Sequence, residues 1–166
     1  MRIKWTIAVI AAALFASEIF STRAAYAAPP GDACALLTSA QVSAVLGVSV
    51  GAGEKILPNN TAVCGWEVPG QKGMDRKRVV LNIYTQIGSM TPIQRFNAAK
   101  TPMQGITKAP ASGVGDDAIF ATTPGFGTGL IFRKGNAAFD LRVYGFPLDQ
   151  IEAKEKTLAL DVLAKL

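Results

Sequence analysis

The chain carries only two cysteines, Cys34 and Cys64, and their pairing most constrains how it can fold. Two cysteines in an exported chain most simply form one disulfide. Closing a loop of roughly 30 residues stabilises a fold by about 3 to 4 kcal/mol when the native geometry is unstrained. A redox-active pair is the alternative, but the C-x-x-C spacing of such pairs is lacking. We therefore expect the segment around Cys34 to be tied to the strand that holds Cys64.

An export segment precedes these cysteines. Arg2 and Lys4 give a positive start, residues 5–16 form an apolar run, and Ala25-Tyr26-Ala27 supplies the small residues of a cleavage site. The run is too short for a membrane span, which needs about 20 residues. We predict a signal peptide over 1–27 and a single exported α+β domain over 28–166. This domain is expected to be periplasmic or secreted, and soluble after cleavage near Ala27.

Two alternatives stay open for the start of the chain. The first is an uncleaved amphipathic anchor, which the polar residues after the apolar run disfavour. The second is a lipid anchor on Cys34, but Asp32 puts a charge where a lipid-attachment site needs small or apolar residues. The sequence therefore predicts no stable membrane insertion.

Composition narrows the classes of function. The formal net charge of +5 falls to +3 once the three basic residues and one acidic residue of the export segment are removed. This mild excess predicts a weak attraction to anionic surfaces, and its lack of clustering predicts no nucleic-acid partner. The chain has no histidine, which removes the usual acid/base group and the commonest transition-metal ligand. With both cysteines paired, we predict no metal site, no cofactor and no enzymatic activity.

Three segments carry helix signals. Thr38 and Gln41 form a capping box, and Gly47 is placed to end that helix in a left-handed conformation. A second helix starts at Thr91-Pro92, because proline is favoured at the first helical position. A long last helix follows Pro147 and carries apolar residues at helical spacing.

Alternation of apolar and polar residues predicts the strands. The clearest is 137–144, where Phe139, Leu141 and Val143 share one face. Others are expected near 62–68, 79–85, 118–122 and 130–133, with a short one at 53–57, whereas 105–112 is polar and predicted to be irregular. The predicted fold class is α+β, with an antiparallel sheet of about five strands covered by a short N-terminal helix, a middle helix and a long C-terminal helix.

Two surface segments are candidate binding contacts. Phe126 lies in a glycine-rich connection between two predicted strands, and an exposed aromatic residue there can contact a partner. Because this connection leads into a strand and not into a helix, it is not predicted to bind phosphate. The second segment is a basic turn that contains Lys72, Arg76, Lys77 and Arg78. Its alternative interpretation is a solvated hairpin tip whose charges protect the strand edges.

Adjacent carboxylates at Asp116 and Asp117 suggest a different chemistry. They could serve acid/base catalysis or an oxygen-bound metal, which makes a metal-dependent hydrolase one alternative function. Neighbouring residues of a strand point to opposite faces, however, so the two can act together only in a turn. A calcium site would also need further oxygen ligands, and no D-x-D-x-D-G run is present. A turn that bonds its own backbone is the favoured interpretation.

Three short motifs run through most of the mature chain: Asp32-Ala-Cys34-Ala-Leu-Leu-Thr38 with Leu46-Gly47, then Cys64-Gly-Trp66, then Gly113-Val-Gly115-Asp116-Asp117-Ala118. In this order they resemble a family of small bacterial exported proteins and lipoproteins of unknown function. That family shows D-x-C-x-L-L-T…L-G, C-x-W and G-V-G-D-[ED]-A motifs. The resemblance implies a Mog/PsbP-like sandwich, in which helices cover an antiparallel sheet, and it supports the disulfide. It implies no activity and no catalytic residues.

We therefore predict a non-catalytic exported domain that binds a protein partner or a small apolar ligand. The hydrolase at Asp116 and Asp117 is one alternative, and an envelope-associated structural component is another.

Overall fold

The computed structural model describes residues 30–73 and 76–166. The signal peptide predicted over 1–27 lies outside these residues. A 3-10 turn, Ala33–Ala35, precedes three helices: α1 (Ser39–Leu46), α2 (Pro92–Lys100) and α3 (Leu148–Leu163). The strands are β1 (Glu54–Leu57), β2 (Asn60–Glu67), β3 (Arg78–Ile83), β4 (Thr107–Pro110), β5 (Asp117–Thr123), β6 (Gly127–Lys134) and β7 (Ala137–Tyr144). Over the described ranges, none of the helices has the length and apolar character needed to cross a membrane.

All seven strands belong to one antiparallel sheet, in the order β1-β2-β3-β7-β6-β5-β4. The first three strands form one meander and the last four form another. Strand β3 joins the two meanders by pairing with β7, from Arg78 opposite Tyr144 to Ile83 opposite Phe139. The predicted α+β class with an antiparallel sheet is therefore confirmed.

The prediction of about five strands was wrong, because the sheet has seven. Strand β4 lies in the segment predicted to be irregular, pairs with β5 and ends at Pro110. Proline is tolerated there because an edge strand has one side free of ladder hydrogen bonds. Strand β1 forms the other edge, and all four of its residues are exposed. The short strand predicted at 53–57 corresponds to β1, whereas β4, with only one of its four residues less than fully exposed, leaves no alternating pattern in the sequence.

Helices cover the two faces of the sheet unequally. Helices α1 and α3 pack on the face that carries Val79, Leu81 and Phe139, and together they enclose the main core. Helix α2 packs on the other face through the fully buried Phe96, which lies in a smaller core with Tyr84. Because α2 has only nine residues, it covers one end of that second face and leaves the other end open.

The predicted disulfide joins Cys34 to Cys64, with the Cα atoms 5.1 Å apart. Asp32 caps the 3-10 turn by accepting the Cys34 N–H at 2.9 Å, and Cys64 is fully buried on β2. The capping box of Thr38 and Gln41 is present, as predicted. The disulfide therefore fixes the segment before α1 onto the sheet.

Candidate functional site

Three chain connections meet at one end of the sheet. They are residues 68–73 and 76–77 between β2 and β3, the turn 124–126 between β5 and β6, and the loop 145–147 between β7 and α3. They meet because β3 and β6 begin where their antiparallel neighbours β2, β5 and β7 end. This is also the end of the second face that α2 leaves open.

These connections enclose a cleft of about 720 Å³, which we term the hairpin cleft. Its side-chain lining includes Arg76, Arg78, Phe126, Tyr144, Phe146 and Ile151. Phe126 stands at the tip of the β5–β6 turn and is 76% exposed. The structure thus brings together Phe126 and two of the four predicted basic contacts, Arg76 and Arg78, although they are about 50 residues apart in the chain.

Arg78 is held in place at the mouth of this cleft by two neighbours across the sheet. Its guanidinium carbon lies 4.4 Å from the centroid of the Tyr144 ring, a cation–π contact. On the other side, its Nη1 lies 3.7 Å from Oε1 of Glu67, the residue directly opposite on β2. Arg76 reaches the same carboxylate at 3.4 Å. Arg78 is thus held from two sides, and Arg76 by one partly exposed ion pair.

The same two arginines also line a second cleft of about 510 Å³ on the side of β1. Glu54, Ile56, Gly65 and Glu67 belong to that lining. Glu54 and Glu67 offset two of the three cations in that lining, Lys55, Arg76 and Arg78, so this second cleft is less favourable for an anion than the hairpin cleft.

The two remaining predicted contacts lie beside the cleft. The Nζ atom of Lys77 lies 5.0 Å from the centroid of the Phe146 ring, and that of Lys154 on α3 lies 4.8 Å from it. Phe146 is thus packed against two cations. Lys72 is exposed on the β2–β3 loop and is not part of the cleft lining described here.

The hairpin cleft opens where β6 separates from β7. Their pairing runs from Lys134 opposite Ala137 to Leu130 opposite Leu141, so residues 127–129 of β6 pair with β5 alone. The backbone N–H of Val143, which lines the cleft, consequently has no strand partner on that side and donates to Oε1 of Glu155 on α3 at 3.0 Å. A buried side chain thus satisfies a backbone group that would otherwise be unpaired.

Glu155 is fully buried, and its second oxygen, Oε2, has no hydrogen-bond partner among the described residues. Burial is the main cause that raises the pKa of Glu155 to about 8, opposed by the Val143 hydrogen bond. Asp140 adds to the increase by electrostatic repulsion. The carboxyl is therefore neutral over most of the physiological pH range.

Arg142 fills the open side of the sheet next to the cleft. It bonds Asp140 through two nitrogens, at 3.0 and 3.2 Å, and it lies across Gly129 of β6. A Cβ atom at Gly129 would approach the Arg142 side chain to 3.0 Å, so glycine provides the room for it. Burial acts to lower the pKa of Arg142, but the charge and hydrogen bonds of Asp140, together with Tyr144 and Glu155, raise it above its ordinary value.

Asp116 and Asp117 are engaged separately. Asp116 accepts the Gly135 N–H at 2.7 Å and forms ion pairs with Arg133 and Lys134, which keeps the pKa of Asp116 below its ordinary value. Asp117 pairs with Lys100 of α2 at 2.6 Å. Within 30–73 and 76–166, no group of three or more acidic or cysteine side chains is arranged to hold a metal ion.

No family model, curated protein or solved structure matches this chain. The resemblance to exported proteins and lipoproteins, and the Mog/PsbP-like sandwich that it implies, therefore stay predictions.

Sequence reasoning missed Tyr144, Phe146 and Glu155. Tyr144 ends the clearest predicted strand, but nothing in the sequence pairs that strand with Arg78. The sequence does contain a signal for Glu155, because this residue falls between Ile151 and Leu158 at the spacing of the buried face of α3. A charged residue on an apolar helix face points to a buried polar contact.

Proposed function

We propose that this protein is a non-catalytic exported domain that binds a protein partner or a small apolar ligand in the hairpin cleft. The observation that carries the proposal is the position of Phe126, an exposed aromatic ring in the same cleft as Arg76 and Arg78. Aromatic and arginine side chains are the types most enriched where binding energy is concentrated.

The size and the build of the cleft support this function. A volume of about 720 Å³ lies in the range of small-molecule sites. Arg78 is already held by Tyr144 and Glu67, so a ligand would meet a largely pre-formed cation. The disulfide favours an oxidising compartment, in agreement with the proposed export. Neither the hydrolase nor the structural-component alternative gains comparable support from the side-chain geometry.

The test is affinity capture from an envelope extract with the wild-type protein and the Phe126→Ala variant. Because the Phe126 side chain is mostly exposed, its removal should leave the melting temperature unchanged. Its loss from the contact should weaken capture of any bound protein or ligand by at least tenfold, as expected for a central aromatic contact.

Ile87→Ala provides the matched control. Ile87 is 59% exposed and follows β3 at the end of the sheet remote from the cleft. This variant removes a similar exposed apolar surface and should bind as the wild type does. Equal capture by wild type and Phe126→Ala would reject the hairpin cleft as the binding site.

A further inference from the structure

We infer that the ligand of the hairpin cleft is an apolar carboxylate, that is, a single carboxylate joined to an aromatic ring or a short hydrocarbon chain. This inference rests on the proposed function and narrows it to one chemical class. It is drawn from the charges, the hydrogen-bond donors and the apolar surface that line this cleft.

The charges around the cleft favour an anion. Arg76 and Arg78 line it, and none of the described lining residues is acidic. Lys77 and Lys154 add two further cations where they pack against Phe146. Glu67 is the acid that contacts the two arginines, and it lies in the second cleft. A negative group would therefore gain favourable interactions on entering from the side of the β5–β6 turn.

The hydrogen-bond donors suit a carboxylate. At 3.7 Å, the contact between Arg78 and Glu67 is too long for a hydrogen bond, so it leaves N–H groups of Arg78 unbonded within the described part of the chain. A guanidinium presents its donors in a planar fork that matches the two oxygens of a carboxylate. Arg76 holds Glu67 by a contact that is more than one-third exposed, and solvent weakens such pairs. N–H donors of both arginines are therefore available to a bound anion.

The apolar part of the lining favours a ligand that carries hydrocarbon as well as a charge. Phe126, Phe146 and Ile151 line the cleft beyond the arginines. Phe126 exposes three-quarters of its surface, so covering it with hydrocarbon removes apolar area from water. An inorganic anion would leave this surface uncovered. A phosphate loop would in addition present backbone amides at a helix start, whereas the turn here leads into β6.

The test is a titration of the oxidised, isotope-labelled protein, monitored by the amide resonances of residues 125–127 and 143–146. The probes are 3-phenylpropionate, its neutral isostere 3-phenylpropionamide, and inorganic phosphate. The carboxylate should shift those resonances and bind at least tenfold more tightly than the amide, because a charge-assisted hydrogen bond is worth about a factor of ten or more. Phosphate should shift them less than the carboxylate does.

Matched variants locate the charge recognition. Arg78→Gln should reduce the preference for the carboxylate over the amide at least several-fold, to what Arg76 supplies alone, while leaving amide binding within about twofold. Arg95→Gln is the control: Arg95 also stacks on a tyrosine, Tyr84, at 4.3 Å, but it lies at the end of the sheet that α2 covers. Arg95→Gln should keep the wild-type preference.

Two sources of such a carboxylate are separated by a further pair of probes. A tripeptide that ends in phenylalanine is compared as the free acid and as the C-terminal amide. Tighter binding of the peptide acid than of 3-phenylpropionate assigns the carboxylate to a protein chain end. Tighter binding of 3-phenylpropionate assigns it to a free small molecule.

Three results would overturn the inference, and they differ from failure of the proposed function. Equal binding of 3-phenylpropionate and its amide would reject the carboxylate but leave an apolar binding site. Tighter binding of phosphate would reject the apolar class. No binding of either phenyl probe at millimolar concentration would reject the ligand class, while the proposed function would still be decided by capture with Phe126→Ala.

Discussion

Val143 donates its backbone N–H to the Glu155 carboxyl at 3.0 Å, at the point where β6 leaves β7. A helix side chain thus takes the place of a missing strand beside the hairpin cleft. The acceptor is a buried carboxyl. Burial raises its pKa to about 8, so it is protonated at lower pH. The local stability of this end of the sheet should therefore depend on pH.

We expect Glu155 to make the folded state less stable as pH rises. Its pKa is 4.5 as a reference value for the unfolded chain and about 8 in the folded protein. Between these values the unfolded chain releases a proton that the folded chain retains, so the free energy of unfolding falls with rising pH. The loss is complete above about pH 8 and is on the order of 5 kcal/mol.

Urea denaturation of wild type and Glu155→Gln at pH 5, 7 and 8.5 measures this effect. The variant keeps an acceptor for Val143 but cannot ionise, so its stability should change less over this range. Asp149→Asn, which removes an exposed acid on α3 that is not among the groups shifting the pKa of Glu155, should follow the wild type. Parallel pH profiles for wild type and Glu155→Gln would contradict the assignment of a neutral, buried carboxyl.

Removing the disulfide should cost about 3 to 4 kcal/mol of unfolding free energy, because the unfolded chain regains the freedom of a loop of about 30 residues. The double variant Cys34→Ala/Cys64→Ala tests this by denaturation, with the wild type under reducing conditions as a second measurement. Equal losses for the double variant and for the reduced wild type would show that the loss comes from the missing cross-link and not from the substituted side chains. An unchanged midpoint in both would show that the bond contributes nothing to stability.

Gly115→Ala should destabilise the protein by at least about 2 kcal/mol. Gly115 has a φ of +59°, and a Cβ atom there would collide with the Arg133 carbonyl, whose oxygen accepts the Asp116 N–H. Gly113→Ala separates backbone strain from steric collision, because Gly113 also has a positive φ, +79°, but no atom lies within 4 Å of the added Cβ. It should cost about 1 kcal/mol, the backbone term alone. Equal losses in thermal denaturation would exclude the steric collision.

Asp116→Ala should cost about 1 to 2 kcal/mol, because Gly135 at the β6–β7 turn loses its acceptor. The pKa of Asp116 is lowered, so its contribution is present at neutral pH and is lost as the pH falls below about 4. Denaturation at pH 7 and pH 3 should therefore show a difference between wild type and variant that shrinks in acid. Asp117→Ala, which removes an exposed ion pair with Lys100, should cost less at pH 7.

The helices and the disulfide could be predicted because their signals are local. Thr38 and Gln41 lie three residues apart, and Thr91 and Pro92 are adjacent, so each cap is determined within one turn of chain. The disulfide followed from the number of cysteines. These features depend on few other parts of the fold.

The site depends on long-range pairing, which local patterns do not contain. Arg78 meets Tyr144 because β3 pairs with β7, strands separated by more than 50 residues of chain. The candidate contacts Phe126 and Arg78 were recognised as residue types, but their common cleft exists only once the sheet order is known. Strand β4 was missed because its side chains are mostly exposed, so burial left no alternation to detect.

The junction of β3 with β7 also sets how this chain must reach its native state. Each of the two meanders can assemble from segments that are neighbours in the chain. Pairing β3 with β7, in contrast, closes a loop that contains all residues between Ile83 and Ala137. Contacts between distant residues slow folding, because chain entropy is lost before they form. Cys34 and Cys64 both precede β3, so their bond does not shorten that search. We expect refolding of the oxidised and reduced chains to share one slow kinetic phase, the docking of the two meanders.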